Sequence, residues 1–207
     1  MNWVDDDNVA LLTDLYELTM LQAYWREGME DEAVFSLFTR DLPPERNYLV
    51  ACGLDDALQY LENFRFSESC CSELSRLEGF SREFIDWLGQ LRFTGSVYAV
   101  PEGTPMFDNE PLLEVVAPLP EAQIVESFLL NLVHFQTIVA SKASRVVTAA
   151  GNRRIVDFGM RRMHGADAAL KASRALYIAG ISATSNVLAG LVYGIPVAGT
   201  MAHSYIQ

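Results

Sequence analysis

Basic charge is scarce in this sequence. Fifteen Lys and Arg stand against 27 Asp and Glu, and the 207 residues carry a formal net charge of -12. A phosphate backbone repels such a chain, which excludes nucleic acid as a partner of the chain as a whole. Cysteine is also scarce. Cys52, Cys70 and Cys71 form no C-x-x-C pair, their number is odd, and adjacent thiols do not easily bridge each other. Reduced thiols in a reducing compartment are expected, not a disulfide framework. His134, His164 and His203 share no ligand spacing, and no His/Cys cluster marks a zinc site. No run of about 18 apolar residues occurs, so no membrane span is expected. The acidic start MNWVDDDNV does not read as a signal peptide, and the cytoplasm is the expected location. Repeats and low-complexity stretches are missing too.

What is present is ordinary globular composition, with 50% hydrophobic and 20% charged residues. The length suits one large domain or two small ones. The few cations are unevenly placed. Arg145, Arg153, Arg154, Arg161, Arg162, Lys171 and Arg174 are 7 of the 15 Lys and Arg, all within one short segment. Singly, each reads as a solvated surface charge. As a cluster they point to an anion pocket.

Hydrophobic periodicity divides the chain into two regions, 1–150 and 151–207. The spacing predicts a helix over 8–27, with Leu11, Leu15, Leu18 and Trp25 on one stripe and Gly28 as its stop. AVFSLFTR, 33–40, reads as a strand, and 54–64, 67–77 and 81–91 as helices. The stretch from Phe93 to Leu119 carries β-formers broken by Gly, Pro and Asn, and predicts two or three short antiparallel strands. Pro120 and Glu121 open a long helix reaching Ala150, with a break expected near Ser141. After Gly151 the rhythm becomes strand, helix, strand, helix, strand: RRIVDFG, 166–179, 180–185, 186–193 and IPVAGTMAH. Alternation at this spacing implies a parallel α/β arrangement.

In such folds the working residues sit at the C-terminal ends of the strands. Those ends carry Asp157 to Arg162, Ala183 to Asn186, and Ala202 to Ser204. His203 has small neighbours that leave room for a ligand, and imidazole serves as base, acid or nucleophile near neutrality. Asp157-Phe158-Gly159 reads either as a plain strand end, with Gly159 for backbone freedom, or as a site in which Phe158 offers a ring face to a planar ligand and Arg161 a planar fork to carboxylate or phosphate. Thr184, Ser185 and Asn186 either cap the next helix or present donors to an anion. Tyr16 reads on its own as core packing, and Arg40 as a surface charge at a strand end.

Taken together, the motifs TDLYELTMLQAY (13–24), PEGTP (101–105) and EAQIVESFLLNLVHFQTIVASKASR (121–145), followed by VDFGMRR, DAALKASRALYIAG, ATSNVLAG and GIPVAGTMAHS, resemble the N-terminal half of the nicotinate phosphoribosyltransferases. They occur in family order over nearly the whole chain. The resemblance implies an α/β fold: an α+β N-terminal domain, then the first strands of an irregular TIM-like barrel. It implies transfer of phosphoribosyl from phosphoribosyl pyrophosphate to nicotinate in NAD salvage, by a homodimer. The reaction is coupled to ATP hydrolysis through a phosphohistidine, with Mg²⁺. By motif match, His203 is that histidine and Phe158 stacks on the pyridine ring. Tyr16 supplies the opposite face from the neighbouring subunit, and Arg161 lies near the carboxylate and phosphoribosyl group. Arg40 contacts phosphate across the dimer. Ser185 replaces the Asp of nicotinamide-using relatives, with Thr184 beside it. The family more often has Gly at position 183 and Asn at 134, where this chain has Ala183 and His134.

The resemblance also implies that the remaining barrel strands and the glycine-rich phosphate loops lie beyond this sequence. The chain therefore reads as a fragment, a truncated product or one piece of a split protein, with little activity expected of it alone. Val192, Ile195, Val197 and Met201 are expected to lack partners, which favours self-association. A non-catalytic module that regulates or complements such an enzyme is the alternative, and a nicotinamide phosphoribosyltransferase the rival within the enzyme class.

Overall fold

A computed structural model describes residues 4–206. In chain order the elements are α1 (Leu15–Glu27), β1 (Glu32–Phe38), β2 (Leu49–Val50), α2 (Leu54–Asn63), α3 (Glu68–Leu74), α4 (Arg82–Leu88), β3 (Ser96–Ala99), β4 (Pro105–Met106), β5 (Pro111–Pro118), α5 (Leu119–Ile124), α6 (Glu126–Ala150), β6 (Val156–Asp157), α7 (Ala166–Ile178), β7 (Ala183–Thr184), α8 (Val187–Tyr193) and α9 (His203–Ile206). Two 3-10 turns, Val9–Leu11 and Met160–Arg162, complete the set. No helix among the described residues is long and apolar enough to cross a membrane.

The chain forms two compact units that alternate in sequence. The first takes the residues up to Thr39, then Leu54–Val100 and Asn109–Leu132; the second takes Arg40–Gly53, Pro101–Asp108 and the residues from Val133 onward. Within the second unit the short strands β2 and β4 pair with each other, and the Val50 N–H of β2 donates to the Ser141 hydroxyl of α6.

An antiparallel sheet of order β1-β5-β3 anchors the first unit. β1 runs beside β5 from Glu32 opposite Pro118 to Leu37 opposite Leu113, with an irregularity before Phe38. Leu113, Val115 and Ala117 alternate inward and are buried, as the period of a strand requires. Helices α1 and α5 pack together, and α5 covers β1 and β5. Ser67 and Ser81 cap α3 and α4 by accepting the Cys70 and Phe84 N–H groups. The fully buried Phe84 ring lies 5.8 Å from Trp87 and 5.9 Å from Trp25.

Helix α1 starts later than its periodicity predicts. Val9–Leu11 forms a separate 3-10 turn that ends at Leu12 with ψ 64°, a non-helical value. The phase of the stripe therefore resets: Leu15 is exposed, while Glu17, Leu18, Leu21 and Gln22 face inward. The predicted stop is present, with Gly28 in the left-handed region at φ 66°. The long helix breaks at Val125 and not at Ser141. Ser141 stays helical because its hydroxyl donates back to the Thr137 carbonyl and accepts the Val50 N–H. At the actual break, the fully buried Glu17 carboxylate accepts the Ser127 N–H at 3.2 Å and the Ser127 hydroxyl at 2.8 Å. A carboxylate from α1 thus caps the first turn of α6.

In the second unit β2 and β4 pair antiparallel, Leu49 opposite Met106 and Val50 opposite Pro105. Thr137 of α6 accepts the Cys52 N–H and donates to the Cys52 carbonyl. Val50, Cys52, Ala140 and Ala175 form a core covered by Tyr48, Val139, Ile178 and Ala179. Next come parallel βα units: β6 pairs with β7, and Thr184 bridges in parallel to Val197. The strand expected over 195–203 reduces to that one bridge. Only Pro196 and Ala198 exchange backbone hydrogen bonds with Thr184 there. Val192, Val197 and Met201 are exposed, but Ile195 is buried. The left-handed Gly194 turns the chain back so that the Ile195 carbonyl approaches Gly190 of α8.

Two measurements check this packing. A Cβ on Gly95 would lie 2.4 Å from Ala117 Cβ and 2.5 Å from the Val116 carbonyl oxygen. Gly95→Ala is expected to cost about 1–3 kcal/mol, read as a lower urea midpoint; an unchanged midpoint contradicts the close approach. Burial, the largest cause, raises the Glu17 carboxyl above its ordinary 4.5. Just above pH 4.5 the folded protein therefore holds a proton that the unfolded chain has released. The stabilisation is full below about pH 4.5 and is lost as the pH rises toward the folded value. Glu17→Gln is expected to shrink the difference between urea midpoints taken at acidic and neutral pH, and an undiminished difference assigns the slope to other groups.

Candidate active site

The site begins with the register of two short strands. Val156 stands opposite Ala183 and Asp157 opposite Thr184, in parallel. The C-terminal ends of β6 and β7 therefore emerge side by side. The Ser185 N–H donates to the Asp157 carbonyl at 2.8 Å, which holds Ser185 against the turn that carries Phe158.

Beneath these ends lies a buried polar network. Asp157 Oδ1 accepts the Gly159 N–H at 2.7 Å. Asp157 Oδ2 accepts the Thr184 hydroxyl at 2.8 Å and the Ser173 hydroxyl at 3.4 Å. Thr184 Oγ1 in turn accepts the Asn186 N–H at 3.1 Å. The Asn186 amide donates to Ser173 and to the Ala169 carbonyl, while its Oδ1 accepts the Ala189 N–H. Asn186 is therefore the cap of α8. Thr184, read from sequence as facing a ligand, is only 1% exposed with its hydroxyl spent on Asp157. Of the three, Ser185 alone keeps a side chain with no hydrogen-bond partner among the described residues.

Phe158 is 47% exposed just past β6. Arg161 stands in the following 3-10 turn, exposed and without a side-chain partner among the described residues. The cation cluster read from the sequence divides in two. Arg145 lies 4.0 Å over the Tyr48 ring and donates to the Tyr48 and Ser141 carbonyls. Lys171 pairs with Asp167. Arg174 grips Glu102 of the PEGTP stretch with two bonds of 2.8 and 2.6 Å, and Glu102 also accepts the Gly53 N–H. Arg153, Arg154, Arg161 and Arg162 are exposed, and no side-chain pairing engages them among the described residues.

The other expected residues are placed as follows. His203 does not end a strand; it opens the short exposed helix α9, because the backbone pairing with Thr184 stops at Ala198. Arg40 belongs to the second unit, exposed after β1 and the Thr39 that follows it. Tyr16 belongs to the first unit and is 46% exposed, so it is not a core residue. Its hydroxyl donates to Glu126 at 3.1 Å and lies 3.3 Å from Glu17. Desolvation first, then these two carboxylates, push the phenol pKa well up, so it stays a protonated donor.

Sequence reasoning passed over Asp157 as a hub, Ser173 as its second donor, and the Glu102–Arg174 pair. One signal was available: a carboxylate inside the apolar run IVDFG, and a lone hydroxyl on the alanine face of α7, both ask for partners. No group of three or more His, Cys, Asp or Glu among the described residues could hold a metal ion.

Comparison with known proteins identifies the family. The profile of the nicotinate phosphoribosyltransferase (NAPRTase) N-terminal domain matches residues 11–134. A nicotinate phosphoribosyltransferase of Mycobacterium tuberculosis is 56% identical over 198 residues, covering 96% of this chain and 43% of the relative. That of Bacillus subtilis is 48% identical over 203 residues, covering 98% and 41%. The crystal structure of human nicotinic acid phosphoribosyltransferase superposes with a TM-score of 0.85 at 40% identity, over 94% of this chain and 40% of that one. The chain thus spans about two fifths of the length of these relatives. Its α/β architecture, the parallel strand ends with their buried support, and the extent of these matches agree: the chain belongs to the nicotinate phosphoribosyltransferase family.

Proposed function

We propose that this chain carries the pyridine-binding part of a nicotinate phosphoribosyltransferase. The enzyme joins nicotinate to phosphoribosyl pyrophosphate and releases nicotinate mononucleotide and pyrophosphate, in NAD salvage. One observation supports the reading beyond kinship. Beneath the ends of β6 and β7, Asp157, Ser173, Thr184 and Asn186 are paired with one another, yet the Phe158 ring is exposed, and the Arg161 guanidinium and the Ser185 hydroxyl have no hydrogen-bond partner among the described residues. That trio suits a planar anionic heterocycle. The Phe158 ring stacks on the pyridine, the Arg161 fork meets the carboxylate, and Ser185 donates to it without adding negative charge.

The finer roles follow the same logic. Tyr16 offers its exposed ring as the second stacking face, contributed to a neighbouring subunit in a homodimer. Arg40 takes phosphate oxygens. His203, an exposed imidazole with no partner among the described residues, attacks the γ-phosphate of ATP, forming phosphohistidine and releasing ADP. Mg²⁺ would be carried by the phosphates of these ligands, whose charge it would neutralise, since the described residues offer no cluster of three or more His, Cys, Asp or Glu to hold it.

The test joins this chain to the portion of the Bacillus subtilis relative that it does not span. Nicotinate mononucleotide formation is followed with nicotinate, phosphoribosyl pyrophosphate, ATP and Mg²⁺. Turnover is expected with nicotinate in preference to nicotinamide; a chimera that folds but turns over neither refutes the proposal. In the active chimera, Ser185→Asp places like charges together in a desolvated site. It is expected to lower kcat/KM for nicotinate on the order of a hundredfold more than for nicotinamide. Equal losses on both substrates argue against a direct contact. His203→Ala is expected to abolish acid-labile labelling from γ-labelled ATP, and undiminished labelling sinks that role.

A further inference from the structure

We infer that Asp157 is a positioning residue that fixes Phe158 and Ser185 relative to one another, and through them sets the site's grip on a planar carboxylate. The inference rests on the function proposed above. Its basis is the buried network, in which one carboxylate holds both strand ends. Asp157 is 8% exposed and pairs with no cation among the described residues. Through Oδ1 it holds the Gly159 N–H and so sets the turn that carries Phe158 outward. Through Oδ2 it holds Thr184, the residue immediately before Ser185. Its own carbonyl takes the Ser185 N–H.

The hydrogen-bond directions require an acceptor on both sides. Gly159 N–H can only donate. Thr184 Oγ1 already accepts the Asn186 N–H, so its proton is directed to Asp157. Ser173 accepts from the Asn186 amide, and its one proton lies between the Ala169 carbonyl at 3.0 Å and Asp157 Oδ2 at 3.4 Å. A carboxylate answers two donors at once, whereas an amide has one acceptor and one donor end. With Asn at 157, either the Gly159 side or the Thr184 side faces a second donor. The site therefore selects a carboxylate at 157. Space is matched as closely as polarity, since a Cβ on Gly159 would lie 2.9 Å from Asp157 Oδ1.

The experiment uses two variants and two readouts. In the active protein, Asp157→Asn is expected to raise KM for nicotinate on the order of tenfold while KM for phosphoribosyl pyrophosphate stays put, and to narrow the preference for nicotinate over nicotinamide. Thr184→Val removes one link only and is expected to have a smaller effect. The double variant should be no worse than Asp157→Asn, because both changes break one network. The second readout needs no turnover. Thr184 and Gly159 share no hydrogen bond with each other, yet Thr184→Val is expected to move the Gly159 amide resonance in ¹⁵N-labelled protein by releasing the carboxylate between them. A nicotinate KM unchanged in folded Asp157→Asn, or a Gly159 resonance unmoved by Thr184→Val, overturns the inference. A protein that never forms nicotinate mononucleotide but shows the shifted resonance overturns the proposed function and leaves the coupling of the strand ends standing.

Discussion

A carboxylate removed from water must be met by donors, and among the described residues three buried carboxylates pair with no cation. Glu17, Glu121 and Asp157 are 0%, 8% and 8% exposed. Each is answered by neutral groups from another element. Glu17 of α1 takes Ser127 at the start of α6. Glu121 of α5 takes the Thr94 N–H and hydroxyl ahead of β3. Asp157 at the end of β6 takes Ser173 of α7 and Thr184 of β7. An unmet buried carboxylate costs several kcal/mol or more, so none of these junctions can shift without a replacement donor. Hydrophobic burial drives the collapse, and these three contacts tie α1 to α6, α5 to the segment before β3, and β6 to α7 and β7.

The pattern of elements was largely legible in the sequence because it rests on local rules. Gly28 stops α1, Ser67 and Ser81 cap their helices, and the Val- and Phe-rich β1 reads directly. The failures have a common physical cause. Leu15 was placed on the buried stripe because periodicity assumes one unbroken helix from Asn8. The break in the long helix was assigned to Ser141, whose hydroxyl has a local acceptor in the preceding turn, when it falls at Val125, where a donor-hungry carboxylate arrives from far along the chain. Tertiary partners decide such points, and spacing alone does not carry them.

What was legible of the candidate site in the sequence is placement near the strand ends: Phe158 and Arg161 are exposed and Ser185 is half-buried just past β6 and β7. Thr184 looked equivalent to Ser185 in sequence, but Thr184 ends β7 fully buried, whereas Ser185 lies in the bend that follows the strand and is half-buried. His203 was taken for a strand end because apolar residues lead up to it, yet a strand needs a neighbour at every residue and the pairing stops at Ala198.

The choice of neutral donors for the buried carboxylates also separates two responses to dissolved salt. Contacts between a shielded carboxylate and N–H or O–H groups feel mobile ions weakly. The open guanidinium groups at Arg153, Arg154, Arg161 and Arg162 sit in solvent, where a screening length of roughly 8 Å at physiological ionic strength governs their pull on an anion. In a chain of net charge -12, that local pull also works against a repulsive background, which the same ions screen. Ionic strength therefore acts on the field of these open cations while leaving the frame of buried contacts nearly untouched.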